Sequence, residues 1–247
     1  MIKSDNYAKE VLCRIKVDPD STVLDIGCGP GILAIPLAKR VKSVTALDMS
    51  EEMLRRVKEN AKQEKLDNII PMNRRWSDVV VDQDIKHDIV VSSRSLDLIS
   101  ISEVHTGDRI CLTWDLKETP SKMDWAAKKC VYITFIVSNS YDAAEEKIYK
   151  SLGRKYYPGP SYIYVYNMLY QMGICANVEF WDRRGKCSSQ DETVDDWKWK
   201  LNIEDVEEGI ALKKHLSNYL DERDKTSLNK NPCKVVLIWW EKGEVNE

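Results

Sequence analysis

The strongest structural signal in this chain is the stretch Val23-Leu24-Asp25-Ile26-Gly27-Cys28-Gly29-Pro30-Gly31. Two apolar residues lead into an acid, three glycines follow at alternate positions, and a helical pattern begins directly afterwards. Glycines between a strand and a helix allow a tight turn and let a ligand approach the bare backbone. The first N–H groups of the helix have no partner within it. The stretch therefore predicts a strand, a ligand-binding turn and a helix.

The spacing of the glycines distinguishes this turn from the dinucleotide fingerprint, which requires G-x-G-x-x-G. The chain has G-x-G-x-G, and Ile32 stands where the last fingerprint glycine would be. Asp25 is not part of that fingerprint either, and it suits a ligand with a cationic amine near the turn. The next predicted strand, 43–47, ends in Asp48, which is placed to accept hydrogen bonds from ribose hydroxyls.

Two longer runs carry a family resemblance. VLDIGCGPGILAIPLA and VTALDMSEEML are similar to motifs I and II of the class I S-adenosylmethionine-dependent methyltransferases, and the spacing between them agrees. The resemblance covers residues 4–137 well and the remainder only loosely. It implies S-adenosyl-L-methionine as the cofactor. The cofactor-binding residues that it implies in these motifs are Asp25, Gly27, Cys28, Gly29, Asp48 and Met49.

The loop after the third predicted strand, 68–72, stands where this family places its adenine-contacting residues. By resemblance, a backbone N–H near Ser77 and the carboxylate of Asp78 contact the adenine edge, and Trp76 covers its ring. The alternative interpretation is a surface turn with a packed tryptophan.

The fourth predicted strand, 88–91, is short and apolar, as a central parallel strand should be. It is followed by Ser92, Ser93 and Arg94. Ligands of doubly wound sheets bind at the carboxyl ends of the strands. We therefore expect Ser92 to contact the cofactor, and Ser93 and Arg94 to contact the substrate.

The order of the predicted elements indicates an α/β fold with a doubly wound, seven-stranded, mostly parallel sheet of the Rossmann-like methyltransferase type. The last three strands are predicted at 130–137, 175–181 and 234–240. Family members usually join the final two strands by a hairpin, whereas a long segment separates them here. We expect a single methyltransferase domain, 1–247, in which 186–233 forms a helical cap insertion over the substrate side. A dimer contact is the alternative explanation for the tryptophans of this insert.

Helical periodicity and capping residues predict the helices. An amphipathic helix is expected over 4–16, and a helix capped by Ser50 is expected after the second strand. Further helices are expected after a Thr119 cap, over 141–152, and over 203–223. The apolar residues of the first helix fall on one face, those of the second form a buried stripe, and those of the last make a partial stripe: Tyr7, Val11, Leu12 and Ile15; Met53, Leu54, Val57 and Ala61; Val206, Ile210, Leu212, Leu216 and Leu220. Residues 103–118 are interpreted as a long connection bordering the substrate mouth.

A cluster of tyrosines follows the fifth predicted strand, and a helix is expected from Ser161 onward. One side of this predicted helix carries Tyr162, Tyr166, Leu169 and Tyr170. The favoured interpretation is a helix packed on the sheet. The alternative is an aromatic wall for the substrate, with Tyr162 and Tyr166 contacting an apolar or cationic group.

Composition limits the partners of the protein. The net charge is −3, with acids and bases well mixed, which argues against a nucleic-acid partner because such proteins usually present a basic face. The 7 cysteines form no C-x-x-C pair and the 3 histidines lie far apart, so neither a metal site nor a disulfide framework is expected. No apolar run is long enough to span a membrane, and the N-terminal residues lack the apolar core of a secretory signal. We expect a cytoplasmic monomer or homodimer.

The chemistry that the resemblance implies is methyl transfer by direct in-line displacement onto a small-molecule acceptor. Because a sulfonium methyl is already electrophilic, the protein must mainly align the reactants and exclude water. Arg94, Asp97 and His105 are base candidates, but their spacing specifies no catalytic residue, and His87 is expected at the far end of its strand. The Asp/Asn-Pro-Pro-Tyr motif of base-amine methyltransferases is absent, which argues against a nucleobase amine. The alternatives are a protein or RNA methyltransferase and a non-catalytic S-adenosylmethionine-binding protein.

Overall fold

A computed structural model of the protein describes residues 6–80, 85–95, 101–106, 109–114, 118–137, 143–154, 162–183, 194, 198, 203, 205–225 and 233–243. The helices are α1 (Asn6–Leu12), α2 (Ala34–Ala38), α3 (Glu51–Gln63), α4 (Glu118–Ala126), α5 (Ala143–Ser151), α6 (Tyr162–Gln171) and α7 (Val206–Lys225). The strands are β1 (Thr22–Ile26), β2 (Ser43–Asp48), β3 (Ile69–Asn73), β4 (His87–Ser93), β5 (Ile101–Thr106), β6 (Arg109–Trp114), β7 (Ala127–Val137), β8 (Asn177–Arg183) and β9 (Cys233–Glu241). Strands and helices alternate through the first part of the chain, which is the pattern of an α/β fold.

Seven strands form one sheet in the order β3-β2-β1-β4-β7-β9-β8. The pairs β2–β3, β1–β2, β1–β4 and β4–β7 are parallel. The predicted fold class, a doubly wound and mostly parallel seven-stranded sheet, is confirmed. The chain proceeds from β1 to β2 and β3 on one side and returns to β4 on the other. The carboxyl ends of β1 and β4 therefore form a topological switch point, where sheets of this type bind their ligands.

Two of the predicted helices have the expected buried faces. In α1, Tyr7, Val11 and Leu12 are buried, although the helix ends at Leu12 rather than continuing to residue 16. In α3, the Ser50 hydroxyl accepts a hydrogen bond from the Met53 N–H at 3.3 Å, which confirms the N-cap. The apolar side chains Leu54, Val57 and Ala61 of this helix are buried against the sheet side of the molecule, as predicted.

The interpretation of residues 103–118 as a long connection missed a pair of strands in this part of the chain. Strands β5 and β6 pair antiparallel, with Thr106 opposite Arg109. This register leaves two residues, Gly107 and Asp108, to link the strands. A two-residue link containing glycine is a known hairpin signal, and the sequence analysis did not use it.

Three further expectations are corrected by the structure. Helix α4 begins at Glu118, so Thr119 lies inside the first turn instead of capping it; Pro120 is tolerated there because its position needs no N–H partner. On α6, Val165 and Leu169 are buried, whereas Tyr170 is 71% exposed and lies off the predicted face. On α7, Leu212 and Leu216 are buried as expected, but Val206 and Ile210 are exposed.

The chain divides into two compact units. Unit 1 comprises Met1–Ile136, Pro160–Phe180 and Val236–Glu247, and unit 2 comprises Val137–Gly159 and Trp181–Val235. Unit 2 has its own apolar cluster, formed by Ile148, Val194, Ile203, Leu212 and Leu216. An ion pair between Arg154 and Glu208, with 2.7 Å between Nη2 and Oε1, also lies within it. The segment 186–233 thus belongs to the same compact unit as residues 137–159.

Some expected absences concern only the described part of the chain. None of its helices combines the length and apolarity needed to cross a membrane. Within it, no group of three or more histidines, cysteines or acids is arranged to hold a metal ion. Cys13, Cys28, Cys130 and Cys175 are free thiols. Asp97, Trp197 and Trp199 lie outside the described residues, as does the side chain of His105.

Candidate functional site

The glycine turn after β1 has the left-handed backbone that its sequence requires. Gly27, Gly29 and Gly31 have φ angles of +68°, +54° and +91°. Residues that carry a side chain rarely adopt these φ angles, so the backbone conformation alone requires glycine here. The Gly27 and Cys28 N–H groups donate to the Leu47 carbonyl at 2.8 and 3.0 Å, which attaches the turn to the end of β2.

Two of these glycines have different surroundings. A Cβ atom on Gly31 would lie 3.1 Å from Ile35 Cγ1 and 3.4 Å from Val57 Cγ2, so this glycine permits close packing of α2 and α3. A Cβ atom on Gly29 would meet nothing within 4 Å. The backbone at Gly29 therefore borders open space at the switch point, which is the arrangement a bound ligand needs.

Asp48, the last residue of β2, organises the turn. Its Oδ2 accepts a hydrogen bond from the Gly29 N–H at 2.9 Å, and its Oδ1 accepts one from the Ser50 N–H at 2.8 Å. Each carboxylate oxygen has a second lone pair available for a ligand hydroxyl. Asn73, opposite Asp48 in the β2–β3 register, donates to the carbonyls of Asp48 and Met49 at 3.2 and 3.1 Å. Asn73 was not predicted to take part in this site, although its place at the end of β3 was a usable signal.

Asp25, on β1, is a buried acid whose pKa is strongly raised. It is 2% exposed, and its Oδ2 has no hydrogen-bond partner among the described residues. Burial raises the pKa of Asp25 to about 7, and the nearby Asp48 carboxylate adds to the increase. A buried carboxylate oxygen without a partner is costly, and a hydrogen-bond donor bound at Oδ2 would remove that cost.

Cys28 does not serve as a nucleophile in this environment. It is 6% exposed, and burial, followed by the charges of Asp25 and Asp48, raises the pKa of its thiol well above the usual range. The thiol therefore stays protonated. What Cys28 offers to a ligand is its backbone within the turn.

The loop predicted to contact adenine is fixed by a side chain from another element, helix α4. The Lys122 ammonium of α4 donates to the Trp76 and Ser77 carbonyls at 2.6 and 3.1 Å. Ser77 and Asp78 are exposed, and the Ser77 hydroxyl donates to Asp78 Oδ1 at 2.8 Å. Lys122 was not predicted, since a lysine far along the chain gives no local signal for this contact.

Trp76 lies differently from the expectation that it covers a ligand ring. Its side chain is 2% exposed, and its indole N–H has no partner among the described residues. The Lys122 ammonium lies 5.0 Å from the centre of the indole ring. The buried indole has very little surface to offer an adenine ring, which favours the alternative interpretation of a packed tryptophan.

The end of β4 brings five hydroxyl groups together in two sets. Ser92 is fully buried, and its hydroxyl contacts that of Ser95 at 2.9 Å, so the side chain is used internally. The Ser93 hydroxyl lies 2.7 Å from that of Tyr7 and 3.1 Å from that of Thr134. Tyr7, from α1, also contacts Thr134 at 2.7 Å. These three hydroxyls form a closed triangle, and neither Tyr7 nor Thr134 was predicted to lie here.

Two other sets of residues considered in the sequence, the tyrosines of α6 and the histidine of β4, take part in packing. Tyr162 on α6 packs edge-to-face on Phe180 of β8, with 5.2 Å between ring centres, and Tyr166 is half-buried on the same helix. This packing favours the structural interpretation for the tyrosines. His87, at the opposite end of β4, contacts the Thr45 hydroxyl at 2.8 Å and the Ile85 carbonyl at 2.7 Å. Its buried position agrees with a role in the core.

Comparisons with known proteins identify the class. A family profile described as "Methyltransferase domain" matches residues 23–108. A Haemophilus influenzae protein, described as uncharacterized, is 30% identical over 240 residues, covering 96% of this chain and 82% of the relative. Among solved structures, the YcgJ protein of Bacillus subtilis matches with a TM-score of 0.65 at 14% identity, covering 97% of this chain and 100% of that one. Coclaurine N-methyltransferase bound to N-methylheliamine and S-adenosylhomocysteine matches with a TM-score of 0.62 at 15% identity, over 97% of this chain and 72% of that one.

The chain belongs to the class I S-adenosylmethionine-dependent methyltransferases, and its cofactor is S-adenosyl-L-methionine. The expected family and enzyme class are thus confirmed. The described residues fit this cofactor on independent grounds. Asp25 Oδ2 is a buried acceptor that needs a donor such as an ammonium group, and the open face at Gly29 leaves room beside the backbone.

Proposed function

We propose that this protein transfers the methyl group of S-adenosylmethionine to a small-molecule acceptor by direct in-line displacement. The observation that carries the proposal is the buried Asp25 Oδ2, which has no hydrogen-bond partner in the described part of the chain, beside a glycine turn whose open face borders the switch point. The net charge of −3, spread over well-mixed acids and bases, supports a small acceptor over a nucleic acid.

In this proposal, residues of β1, β2 and their turns hold the cofactor. Asp25 binds its ammonium group, the backbone of Gly27, Cys28 and Gly29 lies against it, and Asp48 accepts hydrogen bonds from its ribose. The remaining proposed cofactor contacts are Met49, Trp76, Ser77, Asp78 and Ser92; Trp76 and Ser92 would contribute only their backbone, since their side chains are buried. The cofactor supplies an electrophilic methyl group on a sulfonium. The protein supplies alignment and exclusion of water.

The acceptor is proposed to bind beyond the end of β4, with Ser93 and Arg94 as its first contacts and Tyr162 and Tyr166 as further candidates. With the cofactor bound, the acceptor atom would form a bond to the methyl carbon as the carbon–sulfur bond breaks; S-adenosylhomocysteine would leave, and the acceptor's proton would pass to water. We also propose that the inserted segment 186–233 acts as a cap that contributes to acceptor choice. The free thiols at Cys13, Cys28, Cys130 and Cys175 support a reducing, cytoplasmic location.

The cofactor part of the proposal is tested by Asp48→Ala. The substitution removes the proposed ribose acceptor and the bonds to the Gly29 and Ser50 N–H groups, so S-adenosylhomocysteine should bind roughly 10- to 100-fold more weakly. Isothermal titration calorimetry measures this affinity. Asp20→Ala, an exposed aspartate before β1, is the matched control and should bind normally. Unchanged affinity in Asp48→Ala would refute its role.

The acceptor part is tested by turnover. The protein and methyl-labelled cofactor are incubated with cell extract that has been fractionated by size, and mass spectrometry identifies what gains the label. Label in the small-molecule fraction is expected. Label confined to protein or RNA would favour the macromolecular alternatives, and tight cofactor binding without any methyl transfer would favour a non-catalytic binding protein.

A further inference from the structure

Arg94 has an uncommon backbone conformation for its residue type. It follows β4 directly and has φ +55°, in the left-handed region where a side chain is strained. Its N–H donates to the Thr134 carbonyl of β7 at 3.1 Å, which fixes the turn. Strained residues of this kind persist where the surrounding structure holds them, and they are concentrated at functional sites.

The Arg94 side chain is also held in place. Its guanidinium carbon lies 4.3 Å from the centre of the Tyr7 ring, in a cation–π contact. Tyr7 is fully buried, and its hydroxyl is fixed by Ser93 and Thr134. The three hydroxyls can satisfy one another in a cycle, with each donating one hydrogen. The result is a rigid platform under the guanidinium.

The charge of this guanidinium is not neutralised by the described part of the chain. Arg94 is half-buried, and no carboxylate of the described residues lies within ion-pair distance of it. No described residue accepts a hydrogen bond from its side chain either, although a guanidinium has five N–H donors. A cation in this condition, partly removed from water and pre-oriented, matches a carboxylate or phosphate, which it can bind through two parallel hydrogen bonds.

The location of Arg94 connects it to the reaction. Strand β4 pairs with β1 so that Ser92 stands opposite Ile26, one residue before the glycine turn. Arg94 therefore follows the strand that flanks the proposed cofactor site on the side away from Asp48. The acids Asp25 and Asp48 belong to β1 and β2, whereas the only charge contributed by the end of β4 within the described residues is positive.

We propose that Arg94, supported by Tyr7, binds an anionic group of the methyl acceptor, a carboxylate or a phosphate. This inference rests on the proposed function, since it names the acceptor class of the same site. It divides the site by charge, with the cationic cofactor against acids and the anionic acceptor against a guanidinium. Tyr7 and Thr134 act as positioning residues for Arg94.

A binding experiment tests the proposal without knowledge of the acceptor. In protein loaded with S-adenosylhomocysteine, the Arg94 side-chain N–H resonance, assigned by its loss in Arg94→Gly, should shift when inorganic phosphate is added. Arg94→Gly also relieves the left-handed backbone, so the variant should fold. Lys42→Met removes an exposed cation before β2 and serves as the control; it should leave the phosphate-induced shift of Arg94 unchanged. Absence of any shift at tens of millimolar phosphate would overturn the proposal.

A turnover experiment supplies the second arm. The methylated product from cell extract should be retained on an anion-exchange column, and Arg94→Gly should lower kcat/KM for its precursor roughly 10- to 100-fold. The affinity of Arg94→Gly for S-adenosylhomocysteine should stay unchanged. In the control Lys42→Met, neither kcat/KM nor this affinity should change. Arg94→Lys keeps the charge without the planar fork and should show an intermediate loss.

Three results would contradict the inference in distinguishable ways. A neutral or cationic product overturns the acceptor class. A weaker affinity of Arg94→Gly for S-adenosylhomocysteine, with unchanged affinity for 5′-methylthioadenosine, which lacks the amino-acid part, assigns the guanidinium to the cofactor carboxylate instead. Failure of the unsubstituted protein to bind S-adenosylhomocysteine refutes the proposed function itself.

Discussion

Asp25 combines deep burial with a free carboxylate oxygen, and this combination makes its ionisation depend on pH near neutrality. Its pKa is about 7 in the folded protein, against 3.8 for an ordinary aspartate, because burial and Asp48 disfavour the charged form. The folded state therefore binds this proton more tightly than the unfolded state does. The resulting stabilisation is fully present below pH 3.8, is lost as the pH rises through about 7, and amounts to about 4 kcal/mol at most.

We accordingly predict that the free energy of unfolding of Asp25→Asn, relative to that of the unsubstituted protein, increases as the pH is raised from about 5 to about 8. Urea unfolding at both pH values measures the difference in the free energy of unfolding. The same titration should appear in ligand binding. In the unsubstituted protein, S-adenosylhomocysteine should bind more weakly at about pH 5 than at about pH 8, whereas its affinity for Asp25→Asn should be the same at both pH values. A stability difference that does not change with pH would contradict the buried titration.

Substitution of two glycines can distinguish the effect of backbone strain from the effect of ligand contact. Gly29 and Gly173 have φ angles of +54° and +79°, and a Cβ atom on either would meet nothing within 4 Å. Alanine at either position should therefore cost about 1 kcal/mol of stability through left-handed strain alone. We predict that only Gly29→Ala strongly weakens binding of S-adenosylhomocysteine, because its Cβ would project toward the ligand. Equal affinities of the two variants, measured by calorimetry, would disprove the assignment of the turn.

At the level of elements, α4 contacts the loop 76–78, the proposed adenine-binding loop, through the side chain of Lys122. Lys122 is the only residue of this helix described as donating to the Trp76 and Ser77 carbonyls, and burial lowers the pKa of its ammonium. We predict that Lys122→Met loosens residues 76–78 and weakens S-adenosylhomocysteine binding roughly 10-fold, as two charge-assisted hydrogen bonds are lost. Hydrogen exchange across the loop and calorimetry measure the two effects.

The matched control for this prediction is Lys128→Met, which removes an exposed lysine at the start of β7. It should change neither loop protection nor affinity. If Lys122→Met lowers the melting temperature but leaves the affinity unchanged, the lysine only stabilises the fold, and the loop does not depend on it for cofactor binding.

At the level of the whole molecule, the two compact units have separate apolar cores. Leu212 is fully buried in the cluster of unit 2, whereas Ile210 on the same helix is 65% exposed. Leu212→Ala should destabilise unit 2 by about 2–5 kcal/mol, and Ile210→Ala should change its stability by less than about 0.5 kcal/mol. Hydrogen exchange should show lost protection in α5 and α7, with β1 to β4 and S-adenosylhomocysteine affinity unaffected. Equal loss of protection in both units would indicate a single cooperative structure.

Local patterns explain why the sequence analysis identified some parts of the molecule and missed others. The Ser50 cap, the glycine turn and the α3 stripe depend on residues within a few positions of one another, and each is present as predicted. The exposure of Val206, Ile210 and Tyr170 was not predicted, because periodicity identifies an apolar stripe but not which of its side chains pack against another element. The β5–β6 hairpin was missed although its glycine-containing link is a local signal.

The sequence by itself determined the class of this protein, because the glycine turn, the two acids and the alternation of strands and helices are encoded in contiguous residues. Tertiary structure alone decided that Asp25 is buried without a partner for Oδ2, that Lys122 holds the loop at Trp76, and that Tyr7 and Thr134 meet below Arg94. These contacts join residues far apart in the chain. Their existence depends on how the strands and helices pack, and that packing sets the burial, charge and hydrogen bonding of the site.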